Sequence, residues 1–152
     1  LSYVWGSPQR GDVIIYDNPL NTQQQRIQRV IGIPGDTVQI MLNAVIVNGH
    51  TLHEPYITIK PGFSENLTSL TVKLGKDQYF VMNDNRSLCD SSQPQYLCTN
   101  DSDNPAAMGI SQADQGTKSL DKKYIIGKVV FVYWPLNQMH GVNTYDATFA
   151  GL

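Results

Sequence analysis

Short runs of apolar and β-branched residues recur along the chain, separated by Gly, Pro and Asn. No segment sustains the 3.6-residue period of an amphipathic helix, and most of the runs are too short to form stable helices. The pattern therefore predicts a mostly β fold. The predicted strands are Asp12–Tyr16, Gln25–Ile33, Thr37–Met41, Ala44–Val47, Thr68–Leu74, Gln78–Met82 and Tyr124–Tyr133.

Two turn signals punctuate these strands. Asn48-Gly49 separates two apolar runs and predicts a two-residue hairpin, because a type I′ turn requires positive φ at both central residues. Pro34-Gly35, between Ile33 and Asp36, predicts a second turn, since proline cannot donate to a strand ladder and ends the strand before it.

A long polar stretch interrupts the strand pattern from Asn83 to Asp121. It is much longer than an ordinary connection, and excursions of that length are usually functional or disordered. The chain has 152 residues and shows neither internal repeats nor a linker. We therefore expect a single domain over residues 1–152, with a loop insertion at 93–121.

The charge balance excludes several kinds of partner. The chain has 11 Lys and Arg against 13 Asp and Glu, and only 16% of its residues are charged, whereas Gln and Asn fill 12 and 11 positions. Nucleic-acid binding is not expected, because it requires clustered basic residues. No apolar run is long enough to span a bilayer as a helix, so any membrane anchor would lie outside this chain.

Cys89 and Cys98 lie in a stretch rich in Ser, Asp, Asn and Pro. A disulfide between them would stabilise the loop by roughly 2–3 kcal/mol and would indicate an oxidising compartment. The alternative is a pair of unrelated free thiols. No metal site or cofactor is predicted: two cysteines are too few for zinc, and His50 and His53 would point to opposite faces of a strand.

Several segments together resemble a known family. They are Arg10–Tyr16, Gln28–Asp36, Asn83–Arg86 with Asp90-Ser91, Ile126–Val129 leading to Tyr133–Leu136, and the Asn48-Gly49 hairpin followed by Glu54–Ile57. The first four, in the order of the chain, resemble the type I signal peptidases, and the hairpin with its continuation fits the same family. The family's motifs are Arg-Gly-Asp, Lys-Arg-Val-Ile-Gly-Leu-Pro-Gly-Asp and Gly-Asp-Asn-Arg with a trailing Ser-x-Asp-Ser-Arg. The resemblance covers nearly the whole chain apart from the insertion.

The resemblance implies a complex β fold of antiparallel sheets with one long polar loop insertion. It also implies a membrane anchor before the domain, and a Ser/Lys dyad that cleaves signal peptides after small residues. The domain would then lie on the extracytoplasmic face of a membrane, periplasmic or extracellular. Its expected partners are the membrane, an extended peptide or preprotein segment, and subunits of a larger membrane complex.

Gln28 stands where the family has its catalytic lysine, immediately before Arg29-Val30-Ile31-Gly32. A Ser/Lys dyad needs a neutral lysine to take the serine proton, whereas a glutamine amide cannot accept and return a proton. Loss of a positioned general base costs about 100- to 10,000-fold in rate. The alternative is that the alignment has slipped by one residue, but an arginine at position 29 would not supply a base either.

The remaining site residues are assigned by the resemblance alone. Those expected to support the site are Arg29, Asp84, Asn85, Arg86, Asp90 and Ser91. Asn83 replaces the family's first glycine and Ser92 its last arginine. In the family the nucleophile belongs to a Ser-Met-x-Pro segment upstream of Arg-Gly-Asp. That segment is not present in this chain: either it precedes Leu1 or the protein lacks it.

Trp134 and Pro135 could form a membrane-facing aromatic rim, as in the family, or could belong to ordinary core packing.

Three functions then remain open. The first is a proteolytically impaired domain that binds peptides or serves as an accessory subunit. The second is an active peptidase that recruits another base, for which Lys73 and Lys128 are the candidates on strands. The third and weakest is a phage-repressor-like self-cleaving domain.

Overall fold

The computed structural model describes residues 6–19, 21–41, 44–55, 70–84, 119–132 and 135–152, without the side chains of residues 40, 41 and 70. Strands predominate in these ranges, which confirms the mostly β prediction. The strands are β1 (Val13–Asn18), β2 (Asn21–Gly32), β3 (Thr37–Met41), β4 (Ala44–Val47), β5 (His50–Thr51), β6 (Leu70–Lys73), β7 (Gln78–Met82), β8 (Leu120–Asp121), β9 (Ile125–Lys128), β10 (Phe131–Val132) and β11 (His140–Gly141). The same ranges also contain two 3-10 helices of one turn, Lys122–Tyr124 and Leu136–Gln138, and one short α-helix, α1 (Asp146–Phe149).

The strands form a five-stranded sheet in the order β8-β7-β2-β1-β9, a four-stranded sheet in the order β5-β4-β3-β6, and the two-stranded ribbon β10-β11. Every pair of strands is antiparallel. The long strand β2 lies at the centre of the five-stranded sheet. All six residues of β1 pair with it, between Asn21 and Arg29, whereas β7 pairs only with its C-terminal part, from Arg29 to Gly32. This arrangement confirms the antiparallel β fold expected from the sequence.

The alternation of side chains along these strands divides the core into two clusters. One covers a face of the five-stranded sheet and comprises Ile14, Tyr16, Val30, Tyr79, Val81, Leu120 and Ile125. The other comprises Ile31, Val38, Val45, Val47, Leu52, Val72, Leu74, Phe80, Met82 and Phe149. Because neighbouring residues of β2 point to opposite faces, this strand contributes Val30 to one cluster and Ile31 to the other.

Both predicted turns are present. Asn48 and Gly49 have φ of 51° and 82°, the positive values required at the centre of a type I′ hairpin. In the second turn the Asp36 N–H donates to the carbonyl of Ile33 at 3.0 Å, and Gly35 between them has φ of 93°. A glycine at that position is favoured because it adopts a positive φ without a steric penalty.

Both ends of β1 and the C-terminal ends of β2 and β6 differ from the predicted positions by one or two residues, and three other differences have a structural cause. β2 begins at Asn21 rather than Gln25, because pairing with β1 extends the strand through a run of polar amides that the apolar pattern does not reveal. The single predicted strand Tyr124–Tyr133 is divided: β9 pairs with β1, whereas β10 leaves that sheet and pairs with β11. Leu120 and Asp121, which the sequence assigned to the polar loop, form β8 beside β7.

Thr68 and Ser69 of the predicted strand Thr68–Leu74, and the insertion at 93–121 up to residue 118, lie outside the described residues. Within the described ranges, no helix has the length and apolar character needed to cross a membrane.

Candidate functional site

Gln28, which the sequence motifs aligned with the family's catalytic lysine, lies on the central strand of the five-stranded sheet, β2. The register places Ile14 of β1 directly opposite Gln28 of β2 on one side and Lys128 of β9 on the other. Directly opposed residues of antiparallel strands project from the same face. Gln28 and Lys128 therefore share one face of the sheet, with β1 between them.

Gln28 is buried, with 4% of its surface exposed. Its Oε1 accepts a hydrogen bond from the hydroxyl of Tyr16 at 2.5 Å, and its Nε2 donates to Oδ1 of Asn83 at 3.3 Å. These contacts satisfy both ends of the amide, which explains how a polar side chain is accommodated beside the first core cluster. The arrangement holds the side chain in place but supplies no proton acceptor at this position.

Tyr16 was not identified from the sequence as a site residue, because it reads as the last apolar residue of a strand. Burial raises the pKa of its phenol well above the ordinary value, although the charge of Arg26 acts weakly in the opposite direction. The hydroxyl therefore stays protonated and donates to Gln28. The sequence offered no signal for this contact beyond the run of alternating residues in β1.

Arg29 lies on the opposite face of β2 and is also buried, with 5% of its surface exposed. Its Nε and Nη2 donate to the two carboxylate oxygens of Asp84 at 2.8 and 2.7 Å. Its Nη1 donates to the carbonyls of Gly11 and Asn143, both at 2.8 Å. The fork of donors thus fixes Asp84, at the start of the Asp-Asn-Arg motif, against the N-terminal end of β1.

A second bidentate pair joins Arg10 and Asp36, with two bonds of 2.7 Å. Asp36 also accepts from the Ile33 N–H and from Nδ2 of Asn48, so that both predicted turns meet at one carboxylate. Burial by itself raises the pKa of Asp36, but these hydrogen bonds and the charge of Arg10 outweigh it and lower the pKa below its ordinary value. Asp36 therefore joins the two turns structurally.

Neither lysine considered as a substitute base contacts Gln28. Lys128 lies on the same face of the sheet as Gln28, but its Nζ lies 2.7 Å from Oδ1 of the buried Asp12. Lys73 is exposed on β6 of the other sheet, where its Nζ donates to the carbonyl of Gly35. The structure therefore places no lysine of the described residues within hydrogen-bond distance of Gln28.

The sequence profile of the family described as "Signal peptidase, peptidase S26" matches residues 1–134. The chain belongs to this family. Signal peptidase I T of Bacillus subtilis (strain 168) is 32% identical over 145 residues, which cover 91% of this chain and 63% of that protein. Signal peptidase I of Leptolyngbya laminosa is 30% identical over 146 residues, covering 91% of this chain and 59% of that protein.

The chain thus spans about three fifths of the length of these curated relatives. Its fold also resembles the crystal structure of a signal peptidase I from Enterococcus faecalis V583, with a TM-score of 0.53 and 20% identity. The resemblance covers 81% of this chain and 97% of that chain, and at this level of identity it concerns the fold alone.

The structure describes only part of the residue set that the signal peptidase motifs suggested. Gln28, Arg29 and Asp84 are described, and Arg29 and Asp84 contact each other. The other predicted site residues lie outside the described residues: Asn85, Arg86, Asp90, Ser91, the cysteines Cys89 and Cys98, and Trp134. Asn83 does not have a positive φ, so this position does not require a glycine for its backbone conformation.

Among the residues that the structure describes, no group of three or more His, Cys, Asp or Glu side chains could hold a metal ion.

Pro135 is exposed and belongs to a segment with several exposed apolar side chains, which we call the apolar rim. The rim comprises Val130, Phe131, Pro135, Leu136 and Met139.

Proposed function

We propose that this chain is a signal peptidase-like domain that binds an extended segment of a preprotein and is impaired in cleaving it. The observation that supports this proposal is the environment of Gln28, which is buried and hydrogen-bonded to the neutral groups of Tyr16 and Asn83. The position is occupied by an amide that cannot act as a general base. Binding does not require that base, whereas proteolysis by a Ser/Lys dyad does.

The binding surface we propose is the outer edge of β2. Pairing with β7 runs only from Arg29 to Gly32, and no described strand pairs with this edge between Asn21 and Gln28. An exposed strand edge can accept an extended peptide as an added strand. Ile27, with 58% of its surface exposed, would present an apolar side chain beside such a peptide.

The hydrogen bonds with β1 indicate which residues of β2 face outward. Val30 N donates to the carbonyl of Asp12, the residue opposite it, so Val30 belongs to a hydrogen-bonded pair with β1. Antiparallel pairs alternate between hydrogen-bonded and non-hydrogen-bonded. The backbone groups of Gln25 and Ile27 therefore point away from β1, toward the open edge.

This orientation supplies a matched test. Gln25→Pro removes one outward N–H while leaving the ladder with β1 intact, whereas Gln25→Ala removes the side chain and keeps that N–H. We expect the proline variant to weaken binding of a fluorescent signal peptide about 2- to 12-fold, the effect of one lost hydrogen bond, and the alanine variant to bind like the wild type. Equal binding by both variants would reject the edge as the peptide site.

Impaired cleavage needs a separate assay. The full-length protein in lipid vesicles should leave a preprotein with a small-residue cleavage site intact.

The second candidate function is an active endopeptidase that removes signal peptides, and the names of the relatives favour it. Cleavage at the rate of an active family member would establish this alternative. If Lys73→Ala or Lys128→Ala then abolished it, that lysine would be the substitute base.

We further propose that the domain lies on the extracytoplasmic face of a membrane, associated with the bilayer and with subunits of a larger membrane complex. The exposed apolar rim supports this orientation, and Trp134 would extend it at the headgroup level. Leu136→Asp, at a side chain 69% exposed, should reduce binding of the domain to anionic and to zwitterionic vesicles alike. Unchanged binding to both would reject the rim as a membrane contact.

The remaining residues of the Asp-Asn-Arg motif belong to the same proposal. Asn85, Arg86, Asp90 and Ser91 would continue the support that Asp84 begins, and Cys89 and Cys98 would form a disulfide. Thiol alkylation before and after reduction, followed by mass spectrometry, tests the disulfide directly. Two thiols that react without reduction, in protein exported to the extracytoplasmic side, would rule it out.

A further inference from the structure

The C-terminal segment 142–152, which we call the strap, lies beyond the residues matched to the signal peptidase family and contacts Arg29 directly. The carbonyl of Asn143 accepts from Nη1 of Arg29 at 2.8 Å. The guanidinium carbon of Arg29 lies 5.0 Å from the centroid of the Tyr145 ring, within the range of a cation–π interaction. The strap therefore contacts Arg29 through both a hydrogen bond and an aromatic face.

Other contacts anchor the strap on both sides of the residues that touch Arg29. On the N-terminal side, the Val142 N–H donates to the carbonyl of Val130. On the C-terminal side, Phe149 is 7% exposed within the second core cluster, and the Thr148 hydroxyl donates to the carbonyl of His53 at 2.9 Å. The strap is thus attached to the body of the domain independently of Arg29, and it presents Asn143 and Tyr145 from a fixed backbone.

Tyr145 has a left-handed backbone conformation, with φ of 52° and ψ of 51°. That conformation is unfavourable for a residue with a bulky side chain and persists only where surrounding contacts compensate for it. Its N–H donates to Oδ1 of Asn143 at 2.8 Å, which closes a local turn. The turn and the left-handed residue together hold the aromatic ring against the guanidinium.

We propose that the strap is a positioning element for the Asp84 segment, and that Tyr145 is a positioning residue that acts through Arg29. The guanidinium has five N–H donors in a rigid fork. The strap and the carbonyl of Gly11 hold one side of this fork, and the other side holds both carboxylate oxygens of Asp84. Any effect on peptide binding rests on the proposed function above, whereas the effect on Arg29 does not.

The test uses the complete chain and the Nε–Hε resonance of Arg29 in ¹⁵N-labelled protein. The chain has only four arginines, at positions 10, 26, 29 and 86, so the resonances are readily assigned by substitution. We expect Tyr145→Leu to accelerate exchange of this proton with water about 2- to 30-fold, which is the range expected for loss of a cation–π contact. Tyr145→Phe keeps the ring and should retain slow exchange.

Two controls separate positioning from general loosening of the strap. Thr148→Val removes the hydroxyl that donates to His53 without touching Arg29, and it should leave exchange at Arg29 unchanged. Arg10, paired with Asp36 through its own Nε, serves as an internal reference in the same spectra. If Tyr145→Leu accelerated exchange at Arg10 and Arg29 equally, or at neither, the positioning role would be refuted.

Leucine at position 145 is itself strained in the left-handed conformation and could destabilise the strap. Tyr145→Asn controls for this effect, because asparagine tolerates that conformation. It should accelerate exchange at Arg29 as Tyr145→Leu does, and slow exchange in this variant would show that the ring is not needed. Signal-peptide binding is then measured for the same variants. Absence of binding in the wild type would contradict the proposed function while leaving the exchange result, and hence the strap proposal, to be judged separately.

Discussion

Replacing Gln28 with lysine would place a basic group in a buried position between a phenol and an amide. Gln28 is 4% exposed, and the described contacts of its side chain are the neutral groups of Tyr16 and Asn83. Burial disfavours the charged form of a lysine and can lower its pKa by about 3–5 units at a fully buried site. We therefore expect the Gln28→Lys side chain to be neutral in the folded protein near pH 7.

The free-energy cost of a neutral lysine follows from the proton that the side chain releases on folding. An ordinary lysine has a pKa of about 10.4, so keeping it neutral at pH 7 costs about 4–5 kcal/mol, at about 1.4 kcal/mol per pH unit. The unfolded chain binds this proton and the folded chain does not, so the stability of the variant must rise with pH. The penalty should decrease steadily above pH 7 and vanish near pH 10.

Urea unfolding at pH 7, 8 and 9 measures this dependence, with Gln28→Met as the matched control. Methionine has similar length and no charge. It cannot donate to Asn83 as a neutral amine can, but this difference does not change with pH. We expect the stability difference between the two variants to shrink by about 1.4 kcal/mol for each pH unit. A difference that stays constant with pH would show that the lysine keeps its proton when folded, and that this position could not tune a lysine for general-base catalysis.

Three further predictions concern the contacts around the site. Asp36→Asn should lower stability at neutral pH and flatten the acid limb of the stability profile. Because the pKa of Asp36 is lowered in the folded state, its carboxylate stabilises the wild type fully above about pH 4, and this stabilisation is lost as the pH falls through the folded-state pKa. Urea unfolding between pH 2 and 7 measures the loss. Gly11→Ala should cost about 2–5 kcal/mol in thermal unfolding, because a Cβ there would lie 2.0 Å from the carbonyl oxygen of Thr144 at φ of 89°. Gly35→Ala, also at positive φ but with no atom near the added Cβ, should cost only about 1–2 kcal/mol, and equal losses would contradict the importance of the close approach. Tyr16→Phe should cost about 1–3 kcal/mol in urea unfolding, since it leaves the buried Oε1 of Gln28 without this donor, and an unchanged midpoint would mean that this hydrogen bond contributes nothing.

Much of the local structure was predictable because its causes lie within a few residues. Asn48-Gly49 adopts the positive φ angles of its hairpin, and Pro34-Gly35 forms the expected turn, since each depends on the backbone preferences of the residues themselves. The polar start of β2 at Asn21 was missed for the opposite reason. Its amides carry no apolar alternation, and only pairing with β1 makes them a strand.

In the candidate site, too, some features were predictable from the sequence and others were not. The residue type at Gln28 and its inability to act as a base are properties of the sequence, and the family motifs indicated both Arg29 and Asp84 as neighbours of that position. The contact of Tyr16 with Gln28 was not predictable, because an apolar strand pattern does not distinguish a core tyrosine from one that donates to a buried amide.

The sequence by itself determined the strand-rich character, the turns and the absence of a basic group at position 28. The tertiary structure decided which partners these residues have. Gln28 meets Asn83, and Arg29 meets both Asp84 and the carbonyl of Asn143, across separations of 55, 55 and 114 residues. Local backbone preferences act over a few residues, whereas such contacts depend on sheet register and on the path of the C-terminal strap, which are set only when the whole chain has folded.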